Sequence, residues 1–202
     1  FRGLEEGETI SILGVARAEA TAGHSGSMLA VVGIELERAL PALRRAGLTE
    51  IEPANLNSRF QSVFAGPDSE IDQARTVLLD CGAKLASRLP ITGAFHTRHM
   101  SAAVEPFRAA VAASSFTSGH TPVVANLTAL PHSPSGLRRD LLDHLTHPVL
   151  WRQSVEWVLD SHGDPDLPEE GVHFEEASAE RVLTRLVTHI RRDRSATAHS
   201  RR

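Results

Sequence analysis

Between residues 27 and 91 the apolar positions keep changing period, and each change marks an element. Ser27 to Ile34 (SMLAVVGI) is a short apolar run of the length of a buried strand. From Glu35 to Ala46 the spacing turns helical. Leu36, Leu40 and Leu43 share a face, the charges lie elsewhere, and Gly47 supplies a stop. Ile51 to Leu56 and Gln61 to Ala65 read as strands joined through Asn57-Ser58-Arg59. Asp68-Ser69 is expected to cap a helix from Glu70 to Asp80, Gly82 to end it, and Ala83 to Pro90 to lead into a last strand.

The order is β-α-β-β-α-β, the split βαβ pattern of a ferredoxin-like lobe over residues 27–91. Residues 4–20 before it read as a helix, with Leu13, Ala16 and Ala20 at helical spacing, and a loop runs to Gly26. After it, a helix is predicted over Ser101 to Ala113 with Pro106 in its first turn, and a buried strand over Pro122 to Leu127. Helices from Leu137 to Leu145 and from Trp151 to Leu159 break at Pro148. A strand from Val172 to Glu176 and a helix from Ala179 to Arg192 follow. Such alternation belongs to an α/β layer with a mostly parallel sheet. The expected organisation is a helix and loop of a large lobe (1–26), the small lobe (27–91), the rest of the large lobe (92–192) and a tail (193–202). Two convincing strands in the second part cannot cover its helices, so a further segment or a partner is expected to complete the sheet at an exposed apolar edge or groove.

Charge and composition narrow the function. Over 202 residues the net charge is −4, against the basic face of a general nucleic-acid binder. No signal peptide and no apolar run long enough to span a bilayer is visible, so a cytoplasmic location is expected. Cys81 is the one cysteine, which excludes an internal disulfide. It reads as a buried small hydrophobe.

Several residues could carry chemistry. Gly23-His24-Ser25-Gly26-Ser27 resembles a nucleophile elbow, but position 27 is not glycine and the order is helix, loop, strand rather than strand, turn, helix. His96 lies in a Gly93-Ala94-Phe95-His96 loop with Thr97 placed to cap a helix. It is either a structural loop histidine or a general base. The pairs His96/His99 and His144/His147 have a metal-like spacing without a third ligand, so no metal is expected. Arg17, among small residues, is either a surface arginine or a bidentate partner for a carboxylate.

Six ordered segments share one resemblance. They are Ser27 to Gly33, Asn57 to Gln61 (NSRFQ), Leu89 to Thr97 (LPITGAFHT), Pro122 to Ala129 (PVVANLTA), His147 to Trp151 (HPVLW) and Arg181 to Thr184 (RVLT). Together they resemble the malonyl-CoA:acyl carrier protein transacylases and the acyltransferase domains of polyketide synthases. The resemblance implies an α/β fold, with a ferredoxin-like small lobe inserted in an α/β-hydrolase-like parallel-sheet lobe that is incomplete here. It implies a two-step transfer of a malonyl-type group from a coenzyme A thioester, the substrate, through a serine ester to the phosphopantetheine arm of an acyl carrier protein, with no bound cofactor.

By position the resemblance makes His96 the catalytic base and puts Asn57 and Gln61 beside it. It makes Phe95 a wall of the acyl pocket and His144 the residue whose backbone carbonyl orients the base, where the family often has glutamine. Its carboxylate-binding arginine falls on Arg17, or on Leu13 if the helix is matched without a gap. A hydrogen bond to a charged group contributes roughly 1.5–3 kcal/mol, enough to select malonyl over acetyl. The family's G-H-S-x-G serine and G-Q-G segment are expected to precede this sequence, and Ser178-Ala179-Glu180 replaces its G-P-G turn. Beside the acyltransferase reading stand a non-catalytic scaffold that binds a carrier protein and a homologue with altered thioester chemistry. The expected partners are an acyl carrier protein and the nucleophile segment or a synthase module.

Overall fold

Alternation along the first strand, β1 (Ser27–Val32), sorts its side chains into two cores. Leu29 and Val31 are fully buried on one side with Phe64, Ile71 and Leu78, whereas Met28 faces the other side with Ala54, Ala65 and Ala94. The computed structural model describes residues 26–114, 116, 123–133 and 135–162.

Helix α1 (Leu36–Arg45) returns the chain to strands β2 (Glu52–Ser58) and β3 (Gln61–Gly66), joined by Arg59-Phe60. Helix α2 (Asp68–Asp80) leads to strand β4 (Leu85–Thr92). The sheet order is β2-β3-β1-β4, antiparallel throughout, with Leu29 opposite Phe64 and Val31 opposite Ala86. Both helices lie on the Leu29/Val31 side, so the predicted ferredoxin-like lobe forms. β1 stops at Val32 rather than Ile34 because Gly33, at φ 91°, turns the chain. β2 runs on to Ser58 and tightens the hairpin.

The expected cap of α2 is corrected. Pro67 holds the cap position in an extended conformation, and Asp68 and Ser69 are already helical. The Asp68 carboxylate instead accepts from Ser27 Oγ and from Arg88. Cys81, the C-cap residue, is half-buried against the helix-side core.

Beyond the sheet, the predicted helix over 101–113 begins earlier and in two parts. A 3₁₀ turn, Arg98–Ala103, precedes helix α3 (Val104–Ala113). Pro106 has no N–H for an α-helical bond to Ala102, and its ring would crowd that carbonyl, so the first turns tighten. Helices α4 (Leu137–Asp143) and α5 (Trp151–His162) differ from expectation only at their C-terminal ends. The strand predicted over 122–127 does not form among the described residues. Val124 makes one antiparallel bridge, to Pro131, and Ala125 N–H bonds the Leu130 carbonyl at 2.8 Å as the chain turns back. Pro131 has no N–H to extend the ladder.

Parallel pairing among the described residues is a single bridge, Asn55 to Val149, on the outer edge of β2. The opposite edge, β4, is largely exposed, with Leu85 and Ile91 facing solvent, and Val123 and Leu130 are exposed elsewhere. The helix over 4–20, the strand over 172–176 and the helix over 179–192 lie outside the described residues. Among the described residues no helix is long and apolar enough to cross a membrane.

Candidate active site

The chain leaves β4 at Thr92 and turns at Gly93, whose φ is 120°. Gly93 N–H donates to the Gly26 carbonyl at 2.7 Å, which ties this turn to the start of β1. The approach needs glycine at 26, since a Cβ there would lie 2.9 Å from the Ala94 nitrogen. Ala94 is buried under the sheet, and Phe95 packs both on this sheet-side cluster and on the cluster of Met100, Phe107 and Val111. Two apolar layers thus hold the backbone on either side of position 96.

His96 follows with φ 60°, in the left-handed region that non-glycine residues seldom occupy. Such strain persists only where neighbours over-determine it. Thr97 is one of them: its buried hydroxyl donates to the Ala94 carbonyl at 2.7 Å and accepts from His99 N–H at 3.3 Å, as expected of a helix cap. Arg98 and His99 clasp the chain before and at the start of β2. Arg98 pairs with Glu50 at 2.7 Å and with Glu52 at 2.6 Å, while His99 Nε2 donates to the Glu50 carbonyl at 2.9 Å. The Arg98 guanidinium holds the Glu50 carboxyl below the usual carboxylate range.

The His96 ring meets the end of α4. Its Nδ1–H donates to the His144 carbonyl at 3.1 Å, so the neutral ring carries its lone pair on Nε2. The His144 ring packs against it, centroids 4.5 Å apart and tilted by 33°. Burial lowers the His96 pKa, with the carbonyl bond opposing. Burial also pushes His144 down to about 4, helped by the charges of His96 and then His132. Both imidazoles are therefore neutral near pH 7, the form in which Nε2 can accept a proton.

The structure brings His96, Phe95 and His144 together. Gln61 lies opposite Val32, on the sheet face shared by Met28, Val63 and Ala65 but at the other end of β1 from the Gly26–Gly93 contact that anchors this loop. Asn57 sits in an irregularity of β2, between the pairs Leu56/Ser62 and Ser58/Gln61. Leu13 and Arg17 lie outside the described residues, as does Ser25. The second histidine of each metal-like pair is engaged elsewhere, His99 on Glu50 and His147 through Nδ1 on the Asp143 carbonyl at 2.7 Å. No cluster of three or more His, Cys, Asp or Glu side chains suited to a metal occurs among the described residues.

Three neighbours are not among the residues the sequence singles out. The Asn126 amide approaches His144 Nε2 at 3.4 Å, and His132 Nδ1–H donates to the Asp140 carboxylate at 2.7 Å. Asn126 falls in a family-like segment, which could have flagged it, whereas an eight-residue separation hides the His132–Asp140 pair.

Among the described residues, the loop that follows the ferredoxin-like sheet thus holds a neutral histidine whose hydrogen bond is made through Nδ1, which leaves Nε2 as the basic nitrogen. No protein-family model matches the sequence. The chain is 30% identical over 174 residues to the polyketide biosynthesis malonyl CoA-acyl carrier protein transacylase PksC of Bacillus subtilis, a match covering 85% of this chain and 57% of that one. The malonyl CoA-acyl carrier protein transacylase of Burkholderia pseudomallei superposes with a TM-score of 0.74 at 27% identity, covering 94% of this chain and 64% of that one. A malonyl-transacylase solved in complex with a type II polyketide synthase acyl-carrier protein has a TM-score of 0.72 at 24% identity, over 79% of this chain and 53% of its own, a likeness of fold alone. Over the matched residues the chain is similar to malonyl CoA-acyl carrier protein transacylases. It spans little more than half the length of PksC.

Proposed function

We propose that this chain carries the base half of an acyltransferase site, which moves a malonyl-type group from coenzyme A to an acyl carrier protein in fatty-acid or polyketide synthesis. The observation that carries this reading is the bond from His96 Nδ1 to the His144 carbonyl, which leaves Nε2 as the basic nitrogen. Nε2 takes the proton of a serine hydroxyl as its oxygen attacks the thioester carbonyl. Collapse of the tetrahedral intermediate breaks the C–S bond, and His96 returns the proton to the departing coenzyme A thiolate. In the second half, the phosphopantetheine thiol gives its proton to His96 and attacks the seryl ester; collapse breaks the C–O bond, and His96 returns the proton to the serine oxygen.

Phe95 walls the acyl chain in this reading, Asn57 and Gln61 line the approach, and Arg17 or Leu13 stands at the carboxylate position. The sequence contains no G-H-S-x-G, so the serine of this scheme is the family's and is supplied to the base from outside the residues matched here. The carrier protein as acceptor is supported by the similarity to PksC, a malonyl CoA-acyl carrier protein transacylase. A soluble, cytoplasmic protein with the domain boundaries read from the sequence fits this reading.

The test is intact-mass and gel detection of acyl transfer from labelled malonyl-CoA and acetyl-CoA to a carrier protein. The full chain is used alone and with a polypeptide bearing the family's serine segment. Transfer that disappears in His96→Ala supports the reading. Transfer that survives that substitution, or carrier-protein binding with no acyl adduct in either arrangement, overturns it.

A further inference from the structure

The His96 ring is anchored at Cγ by the side chain and at Nδ1 by the 3.1 Å bond to the His144 carbonyl, both on one edge, so small rotations about χ1 and χ2 displace the opposite edge. Nε2, on the far side, moves most. A general base works only if that nitrogen is held within hydrogen-bond reach of its proton. Something besides the carbonyl must therefore set the plane of the ring.

The His144 ring is placed to do so. It lies against the His96 ring at 4.5 Å between centroids, inside the range of aromatic pairing. Its backbone is fixed as the C-cap of α4, with its N–H on the Asp140 carbonyl at 3.0 Å. Its outer nitrogen, Nε2, is met by the Asn126 amide at 3.4 Å. Asn126 itself sits in the turn closed by Ala125 and Leu130, and its carbonyl accepts from Leu150 N–H at 2.8 Å. Any residue could supply the carbonyl at 144, whereas the stack requires a flat ring.

We propose that the imidazole of His144, separately from its backbone carbonyl, is a positioning residue that fixes the plane of the His96 ring and so the direction of Nε2. The significance for catalysis rests on the reading of His96 as the base. The device works while His144 is neutral, because two charged imidazoles at this separation repel. The charged or titratable groups around it are His96 from the loop after β4, His132 with its Asp140 partner, and the Arg139–Asp143 pair on α4. As pH falls and His144 takes a proton, Asn126 can no longer donate to it and the stack loosens.

The test reads the ring nitrogens by ¹⁵N imidazole NMR on the full chain between pH 4 and 8. In the wild type His96 is expected as a single Nδ1–H tautomer whose ring protons feel the His144 ring current. His144→Gln keeps the carbonyl and removes the ring. The ring-current shift should vanish and the Nε2–H tautomer should grow about two- to tenfold, the range to which an aromatic pair corresponds. His144→Phe should restore the wild-type signature and hold it to lower pH. Backbone amide spectra confirm folding, and if His144→Gln fails to fold, Asn126→Ala frees the same ring with the carbonyl intact and should shift the tautomers in the same direction. Unchanged His96 signals in a folded His144→Gln or Asn126→Ala variant, or no rescue by phenylalanine, would sink the proposal. The tautomer readout does not depend on acyl transfer, so it can fail while the base reading survives. Transfer that persists in His96→Ala would remove the base reading and leave the stack untouched.

Discussion

The Thr97 hydroxyl donates to the Ala94 carbonyl at 2.7 Å and so closes the turn that carries His96. Thr97 is 1% exposed, so water cannot replace this bond. Thr97→Val keeps the shape and removes the donor. Loss of about 1–3 kcal/mol of stability is expected, the cost of leaving a buried partner unsatisfied. Urea unfolding reads it directly, and an unmoved midpoint would show that the turn stands without the bond.

Stability should fall on mild acidification. In the unfolded chain a histidine titrates near 6.5. His96 and His144 titrate lower when folded, His144 at about 4. Above pH 6.5 both are neutral in both states and contribute no slope. Below it the unfolded chain takes up protons that the folded chain refuses, so stability declines until the folded pKa is reached. For His144 alone the loss by pH 4 is on the order of 3 kcal/mol. Unfolding curves from pH 7.5 to 4.5 measure the slope, and His144→Gln should reduce it. Equal slopes in the two proteins would contradict the burial of a neutral His144.

Glycine should outperform alanine at position 96. An alanine there must keep φ near 60° with a Cβ in place, whereas glycine adopts that conformation freely. The His96→Gly protein is expected to be more stable than His96→Ala by about 1 kcal/mol, against the usual order of the two residues. Thermal midpoints of the pair decide it.

A methyl group at position 26 should disturb a residue seventy positions away. In Gly26→Ala the new Cβ would sit 2.9 Å from the Ala94 nitrogen and 3.4 Å from the Gly66 carbonyl. Overpacking of this kind costs about 1–3 kcal/mol. Because the Ala94 backbone must move, the His96 signals should shift along with the stability. Shifts confined to residues 25–28 would mean that the loop yields without passing the strain on.

Residues whose role depends on local pattern were legible, and those whose role depends on packing were not. Leu29 and Val31 announce a strand by composition, and Leu36, Leu40 and Leu43 a helix by spacing, so the small lobe follows from its own segments. Asp68 misleads because its carboxylate serves Ser27 and Arg88, distant in sequence, instead of the helix end beside it. Val124 looks like a buried strand until the chain folds back on it and offers a proline as its partner. At the site, the Gly93-to-His96 loop shows itself through small residues before a histidine. The Arg98 clasp on Glu50 and Glu52 and the Asn126 contact to His144 arise only when separate loops converge.

The bridge on the edge of β2 sets a ruler for the whole site. Val149 N–H bonds the Ala54 carbonyl at 2.8 Å, and Leu56 N–H bonds the Val149 carbonyl at 2.9 Å. His144 lies five residues before Val149 on the same short segment, so the carbonyl oxygen that accepts the hydrogen bond from His96 Nδ1–H is indexed to the register of β2. A slip of that strand by one position, from an insertion or deletion in the hairpin at Arg59-Phe60, would slide the carbonyl along by about 3.3 Å. That is enough to disconnect His96 while the loop that carries it is untouched in the sequence. Alignment of the His96 imidazole with its carbonyl partner is therefore a property of strand pairing, and variation in the length of the Arg59-Phe60 hairpin is a hidden way to break it.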